Sequence, residues 1–597
     1  MKIKIARTAG FCFGVKRAMD KVLNTSNRLR SAIYTDGPLI HNPQIVKALE
    51  QRKISVLDDA AAPGGGATVV IRAHGVSPAR KAFLESRCAQ VIDGTCPLVS
   101  KIQNIVKKEI EKGRYVLIIG EAGHPEVIGI LGFASGMGAV INSEEEISRL
   151  TEEKEGNAGD KSKIAARFAG GVSVVAQSTQ ELEHFENLVS VLKLKFNDIK
   201  VFNTICNATR KRQEEAAQLA REVDLMVIVG GKNSGNTKRL AEVAQYSKTP
   251  AVLVETEEEL STEMFAGKHT VGITAGASTP NWMIRNVAQK IEEISYNSKP
   301  FPLRLLKKTV NFLIDSDIYI GICAFAMAYV ASTLIAKTIH PFEAWLAALY
   351  IFSMHTLNRY IDRDASRYNS SSRNKIYHKF SKYIMAGGVL ASLSVVALSL
   401  HFGVWLFLFY VLCSLAGVLY SINFVPVGFR PYVRYASLKD IPGSRDLFIS
   451  TAWAVVLTFS PAVSGKWIFE WRLLFTFSII FIMAFCRTIT LDIKDIQGDS
   501  IVGKETIPTL IGSKYSVLLM KFLLLCASVI TIVAVLVNEY EYYSLSLIAN
   551  FAYMLVIINK FGKETNYYGN YIEGLIDFNF ILAALFLLIT KWTLILF

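Results

Sequence analysis

From about Val310 to Phe597 the chain runs through nine apolar stretches, near residues 318–336, 342–357, 383–401, 403–422, 446–464, 471–489, 515–537, 543–559 and 572–595. Nothing else in the sequence restricts the fold as strongly. A hydrocarbon layer about 30 Å thick is crossed by roughly 20 apolar helical residues, and backbone polar groups within it must be satisfied by the segment itself. The C-terminal half is therefore expected to be an all-α polytopic membrane domain of about nine transmembrane helices. The half before Pro300 has another texture, with short apolar runs separated by polar, glycine-punctuated loops. That pattern predicts a soluble α/β domain. A chain of 597 residues exceeds a single core in any case. The organisation expected is a soluble domain over 1–296, a basic linker over 297–310 and a membrane domain over 311–597.

The net charge of +14 is not distributed as a nucleic-acid binder's would be, and no nucleic-acid partner is expected. Basic residues concentrate in alternate loops between apolar stretches, as in RYNSSSRNKIYHKFSK and GFRPYVRYASLK, whereas the intervening loops KTIHPFE, HFG and NEYEYY are short or acidic. This asymmetry places the basic loops, and the soluble half with them, on the cytoplasmic side of a lipid bilayer. The N-terminal MKIKIARTAGFCFGVKRAMD has no apolar secretory core, so cytosolic thiols rather than disulfides are expected. Cys323, Cys413, Cys486 and Cys526 fall in apolar stretches and read as small packing residues.

Ionisable residues gather at the expected cytoplasmic ends of the spans. One cluster holds Asn358, Asp362 and Asp364, and another holds Arg487, Asp492, Asp495 and Asp499; Tyr435 and Lys439 lie between them. At helical spacing Asn358 and Asp362 share a face, as do Asp492 and Asp495. Two such helix ends facing one cavity suit Mg²⁺ and, through it, a diphosphate. The segment LDIKDIQGDSIVGKETIPTLIG resembles the second aspartate motif of UbiA-type intramembrane prenyltransferases. The resemblance, over about 305–597, implies transfer of a prenyl group from a diphosphate to an acceptor. Asn358, Asp362, Asp492 and Asp495 would hold Mg²⁺, with Tyr435, Lys439 and Asp499 as accessory residues. The first motif departs from the family's Asn-Asp-x-x-Asp-x-x-x-Asp, because Arg359 and Ser366 stand where carboxylates are usual.

In the soluble half, ATVVIRAHGVSP, RYVLIIGEAGHPEVIG, LMVIVGGKNSGNTKRL and HTVGITAGASTP each read as a buried strand, a polar loop and a helix. They predict two or three similar subdomains with functional groups on the loops beyond the strands. Residues 151–171 read as a surface insertion. Cys12, Cys96 and Cys206 lie in loops or at helix starts near basic residues, a setting expected to favour thiolates. Their wide spacing is unlike a C-x₂-C signature. Three thiolates on an iron cluster would leave one iron open. His41, His74 and His124, with Ser234, Asn236 and Ser278 at helix starts, suggest a polyanion pocket. Glu126 is a candidate proton donor.

Taken in order, FCFGVKRA, IRAHGVSP, DGTCPLV, GHPEVIG, GKNSGNT and TAGAS resemble the IspH/LytB family of 4-hydroxy-3-methylbut-2-enyl diphosphate reductases, over about 1–294. The resemblance implies similar subdomains around a central 4Fe–4S cluster on Cys12, Cys96 and Cys206. His41, His74, His124, Ser234, Gly235, Asn236 and Ser278 would bind the substrate diphosphate. Glu126, Ser178 and His124 would be catalytic. Electrons would come from a donor of the reduced ferredoxin or flavodoxin type. Ser178 stands where threonine is usual and Gly235 where serine is usual. Two rival expectations are a prenyltransferase carrying an inactive reductase-like domain and a membrane-tethered iron–sulfur redox sensor. Intact cysteines weigh against the first, and the diphosphate-type loops against the second.

Overall fold

The computed structural model describes residues 1–29, 32–40, 42–57, 66–151, 167–232, 234–336, 341–361, 371–422, 437–464, 470–562, 569 and 571–596. Two compact units divide the chain, Met1–Glu292 and Glu293–Phe597.

The first unit contains three four-stranded sheets, every pairing within them parallel. One is built from β2 (Ile33–Asp36), β3 (Ile54–Leu57), β4 (Thr68–Ile71) and β5 (Gln90–Asp93), ordered β3-β2-β4-β5. The next uses β6 (Tyr115–Ile119), β7 (Gly138–Ile141), β8 (Val172–Ala176) and β9 (Ile199–Phe202), ordered β7-β6-β8-β9. The last joins β10 (Leu225–Val229), β11 (Ala251–Val254) and β12 (Thr270–Ala275) to β1 (Lys2–Ile5), ordered β11-β10-β12-β1. Each sheet thus has strand order second-first-third-fourth, and the first strand of the chain serves as the fourth strand of the last repeat. The reading of similar α/β subdomains holds, and the number is three.

The central strands explain themselves. TVVI, YVLII, VSVVA and LMVIV are buried along their whole length. A parallel sheet covered on both faces needs such unbroken apolar runs. The connecting helices are α1 (Phe13–Arg28), α2 (Pro43–Gln51), α3 (Pro78–Arg87), α4 (Pro97–Glu111), α5 (Pro125–Leu131), α6 (Glu144–Thr151), α7 (Leu182–Lys195), α8 (Asn207–Ala220), α9 (Gly235–Tyr246) and α10 (Asn281–Asn297). Four of them, α2 to α5, carry proline in the first turn, where its missing N–H costs nothing. Most of the expected surface insertion, 152–166, lies outside the described residues.

The second unit is helical. The segment expected as a linker is mostly helix: α11 spans Phe301–Asp315. Pro300 caps it and Pro302 sits in its first turn, positions where proline starts a helix rather than breaking one. Phe301, Leu303, Leu306 and Phe312 are exposed on this helix, and Arg304, Lys307, Lys308 and Asn311 share its other face by helical spacing. Then come α12 (Ile318–Ala336), α13 (Pro341–Ile361), α14 (Ser371–Lys379), α15 (Ser381–Ser399), α16 (Val404–Ser421), α17 (Ser444–Ser464), α18 (Trp471–Val502), α19 (Ile507–Leu536), α20 (Leu547–Phe561) and α21 (Tyr571–Leu596).

Each of the nine apolar stretches is helical, but among the described residues seven helices are long and apolar enough to cross a membrane. The apolar part of α16, Val404–Tyr420, is too short for that count, and α13 is diluted by Glu343, His355, Asn358 and Arg359. Outward-facing Leu390, Leu393, Leu412, Leu518, Phe522 and Leu525 are exposed, a surface that water would penalise and lipid would not. Inside, Met327, Trp453, Met483, Met520, Phe551 and Phe580 belong to one continuous core. Helix α18 has 32 residues, about 48 Å at 1.5 Å per residue, which exceeds the hydrocarbon layer. Its last turns carry the acidic motif and end at Gly503, whose φ of 87° is left-handed.

Candidate active sites

The three cysteines occupy equivalent places in the three repeats. Cys96 follows β5, Cys206 follows β9 and Cys12 follows β1, the fourth strand of each sheet, and each is the N-cap of the next helix, α4, α8 or α1. Their backbone N–H groups donate to the carbonyls of Ala73 (2.9 Å), Ser178 (2.7 Å) and Ala277 (3.0 Å). Those acceptors each lie two residues beyond the third strand of their repeat. One loop design is therefore used three times. It presents a thiol at the positive end of a helix, where an anion is stabilised. The expectation that basic neighbours favour thiolates is corrected at Cys96. Burial pushes its thiol up, the N–H groups of Leu98 and Val99 pull it down, and Cys12 and Cys206 raise it further. Desolvation costs the thiolate more than the helix start returns.

Neighbouring repeats hold these loops in place. Buried Arg212 on α8 donates to the carbonyls of Thr8 (2.7 Å) and Gly10 (2.6 Å). Glu215 on the same helix accepts from the N–H groups of Arg7 (2.7 Å) and Thr8 (2.8 Å). Arg17 on α1 donates to the carbonyl of Thr95 at 2.7 Å. Sequence reading missed all three. Gly14 is also required, since a Cβ there would lie 2.7 Å from Cys96 Sγ. Gly14→Ala should displace Cys96 and cut the iron bound per chain at least severalfold while the fold survives. Iron analysis beside far-ultraviolet circular dichroism checks this, and full iron content would overturn it.

The other loops gather polar groups. Beyond β6, His124 caps α5, its Nδ1 accepting the Glu126 N–H at 3.2 Å, which leaves Nε2 as the protonated nitrogen. His74, in the loop after β4, meets the His124 ring edge-on at 5.3 Å. Glu126 is 2% exposed. The N–H and hydroxyl of Ser178, beyond β8, donate to its two carboxyl oxygens at 2.7 and 2.8 Å. Burial raises the Glu126 carboxyl, and the two Ser178 bonds oppose that shift. Ser234 caps α9 without spending its hydroxyl on the cap, with Gly235 and Asn236 opening that helix. An added Cβ at Gly235 meets nothing within 4 Å, so packing does not demand glycine there. Ser278 follows β12. His41 lies outside the described residues.

A cluster fits this unit. Three thiols stand on equivalent helix starts, Gly14 leaves the room that the Cys96 Sγ takes, and a thiolate destabilised by burial is what bound iron would compensate. Among the described residues no three His, Cys, Asp or Glu side chains converge to hold a single metal ion. A cluster does not ask that of them, because each thiolate binds a different iron.

In the helical unit, Asp492 and Asp499 of α18 face Arg445 of α17 at 3.7 and 3.6 Å. Asp446, next to Arg445, is fully buried and accepts the Ile507 N–H at 2.7 Å. The Asp446 and Asp495 charges also act on Asp492, and Asp492 Oδ2 has no hydrogen-bond partner among the described residues. Several carboxylates around one arginine suit a divalent cation. The other motif is different. Arg359 on α13 pairs with Asp317 at 2.7 Å and approaches Glu573 at 4.0 Å, so it takes part in an ion network. Asp362 and Tyr435 lie outside the described residues. Lys439 lies in a single turn, Leu438–Asp440, closed by a Ser437–Asp440 capping box.

Fold and sites together define a three-repeat α/β protein with a helix-capping cysteine in each repeat, continued into a polytopic helical unit with seven candidate membrane spans among the described residues. Residues 3–292 match the model of the LytB protein family and residues 319–566 that of the UbiA prenyltransferase family. The 4-hydroxy-3-methylbut-2-enyl diphosphate reductase of Geobacter sulfurreducens is 44% identical over 299 residues, 50% of this chain and all of that protein. The Aquifex aeolicus enzyme of the same name is 41% identical, covering 49% of this chain and 96% of its own. A solved UbiA homolog from Archaeoglobus fulgidus, bound to GPP and Mg²⁺, aligns at 15% identity and a TM-score of 0.37, covering 47% of this chain and 99% of its own. The chain belongs to the LytB family, and its residues 319–566 match the UbiA prenyltransferase family model.

Proposed function

We propose that the N-terminal unit reduces 4-hydroxy-3-methylbut-2-enyl diphosphate to isopentenyl and dimethylallyl diphosphate. The reaction takes two electrons and two protons, breaks the C–O bond of the substrate alcohol and releases the oxygen as water. The observation that carries this reading is the placement of three helix-capping cysteines at equivalent points of the three repeats, together with a buried carboxyl, Glu126, bonded to Ser178, whose carbonyl accepts the Cys206 N–H. A 4Fe–4S cluster on Cys12, Cys96 and Cys206 would supply the electrons and an open iron for the alcohol. His41, His74, His124, Ser234, Asn236 and Ser278 would bind the diphosphate, assisted by the N–H groups of α9 beginning at Gly235. The two Ser178 bonds fix both oxygens of Glu126, so its carboxyl holds the proton at one place in the pocket. His124, held by its Nδ1 bond to the Glu126 N–H, would offer Nε2–H to the diphosphate.

The helical unit, embedded in the bilayer with its acidic motif toward the cytoplasm, would move a prenyl group from a diphosphate to an acceptor. Asp492 and Asp495, with Asn358 and Asp362, would hold the Mg²⁺ that neutralises the diphosphate, and Asp499, Lys439 and Tyr435 would assist. The reductase unit sits on the cytoplasmic side in this reading, which the basic loops support.

The test is an anaerobic assay of the full chain in detergent with reduced viologen and 4-hydroxy-3-methylbut-2-enyl diphosphate. Both five-carbon diphosphates should appear. Cluster-loaded protein that yields neither would overturn the reductase reading.

A further inference from the structure

We infer that the cleft between α1 and α4 is the docking site of an acidic one-electron carrier protein. The inference rests on the reductase reading above. The cleft encloses about 700 Å³ and is lined by Arg17, Lys21, Lys101 and Lys108. Asp93 is the acidic residue among its described lining, and it is engaged by the Thr95 N–H at 2.9 Å and by Lys81 at 3.3 Å. The field over the opening is therefore positive, which draws in a negatively charged partner and speeds its encounter.

Position selects which anion. Thr95 and Pro97 both line the cleft, and they are the two chain neighbours of Cys96. Arg17 holds the Thr95 carbonyl at 2.7 Å, and Gly14, one turn earlier on α1, lies against Cys96 Sγ. A protein seated here touches the loop that carries one of the three thiols. None of the groups assigned to the substrate diphosphate lines the cleft, so a second phosphate ligand is not called for. Exposed apolar side chains follow two of the thiols: Phe13 is 70% exposed and Leu98 44%. Exposed apolar side chains near a basic cleft can add contact area to a short-lived protein encounter. The balance is simple. Two reduced carriers each give up one electron, and with two protons the substrate C–O bond is exchanged for a C–H bond and water.

The test uses the full chain with Lys101→Glu and Lys108→Glu combined, assayed with a reduced plant-type ferredoxin and separately with reduced methyl viologen. We expect the apparent KM for ferredoxin to rise at least tenfold and its salt dependence to flatten. The viologen rate should stay within twofold of the parent. An unchanged ferredoxin KM would overturn the inference, as would an equal fall with both donors, because the residues then support the fold or the substrate. Binding of oxidised ferredoxin, measured by calorimetry without turnover, should weaken in parallel, and this holds even where the reductase assay itself fails. A variant that loses affinity for anionic phosphatidylglycerol vesicles but keeps its ferredoxin affinity would assign the cleft to lipid instead.

Discussion

Glu126→Gln should lower reductase turnover by about 10²–10⁴-fold while leaving iron content and substrate affinity close to the parent's. The substitution keeps the shape, its amide oxygen can still accept from the Ser178 N–H and its amide NH2 can donate to the Ser178 hydroxyl once that O–H turns away, but the titratable proton is gone. Turnover and iron measured on the same preparation separate the two effects, and a variant within a fewfold of the parent would refute the role. The same change should stabilise the protein near neutral pH. Burial raises the Glu126 carboxyl above its ordinary value, so the folded state binds its proton more tightly than the unfolded state does. The stabilisation this provides is complete below the ordinary glutamate value of about 4.3 and is lost as pH rises through the raised one. Glutamine does not ionise. The variant's melting temperature should therefore exceed the parent's at pH 7 to 8, and the two should converge near pH 4. The parent's turnover should fall as pH rises and Glu126 ionises, and that limb should be absent from the variant's residual rate.

Much of this site was legible because its chemistry sits on short loops between unmistakable strands. Runs such as RYVLIIG and LMVIVGG can be little else than buried parallel strands, and cysteines directly before a helical pattern turned out to be helix caps. The number of repeats was not legible. The last repeat borrows its fourth strand from the opposite end of the domain, so β1 pairs with β12, and no single period runs along the chain. The loop latches were invisible for a related reason. Arg212 looks like one more charge in NATRKRQEE, and only the fold brings it against Thr8 and Gly10. The segment 297–310 read only as a basic linker, yet Pro300 and Pro302 stand where proline starts a helix, at the head of α11. In the membrane half, one available signal went unused. Asp317, Glu573 and Asp577 are acidic residues within or beside apolar stretches, where a charge is costly unless paired.

That network carries the second large expected effect. Arg487 on α18 is 3% exposed and donates to both oxygens of Asp577 on α21, at 2.5 and 3.2 Å. Its guanidinium also lies 5.8 Å from the Trp453 ring, which stacks on Phe580. One turn nearer the start of α21, Glu573 accepts from Lys494 at 2.8 Å and from Arg373. The pair therefore ties α18 to α21 in a medium where water cannot compensate a lone charge. Arg487→Ala would strand the Asp577 carboxylate, at a cost of about 3–5 kcal/mol. Replacing both partners with apolar residues of similar volume, Arg487→Met with Asp577→Leu, removes the stranded charge and should recover most of that stability. Thermal unfolding of the full chain in detergent checks both. Single and double variants of equal stability would refute the account. If the double variant regains stability but not prenyl transfer, the pair does more than hold helices together, and its charge acts on the acidic motif further along α18.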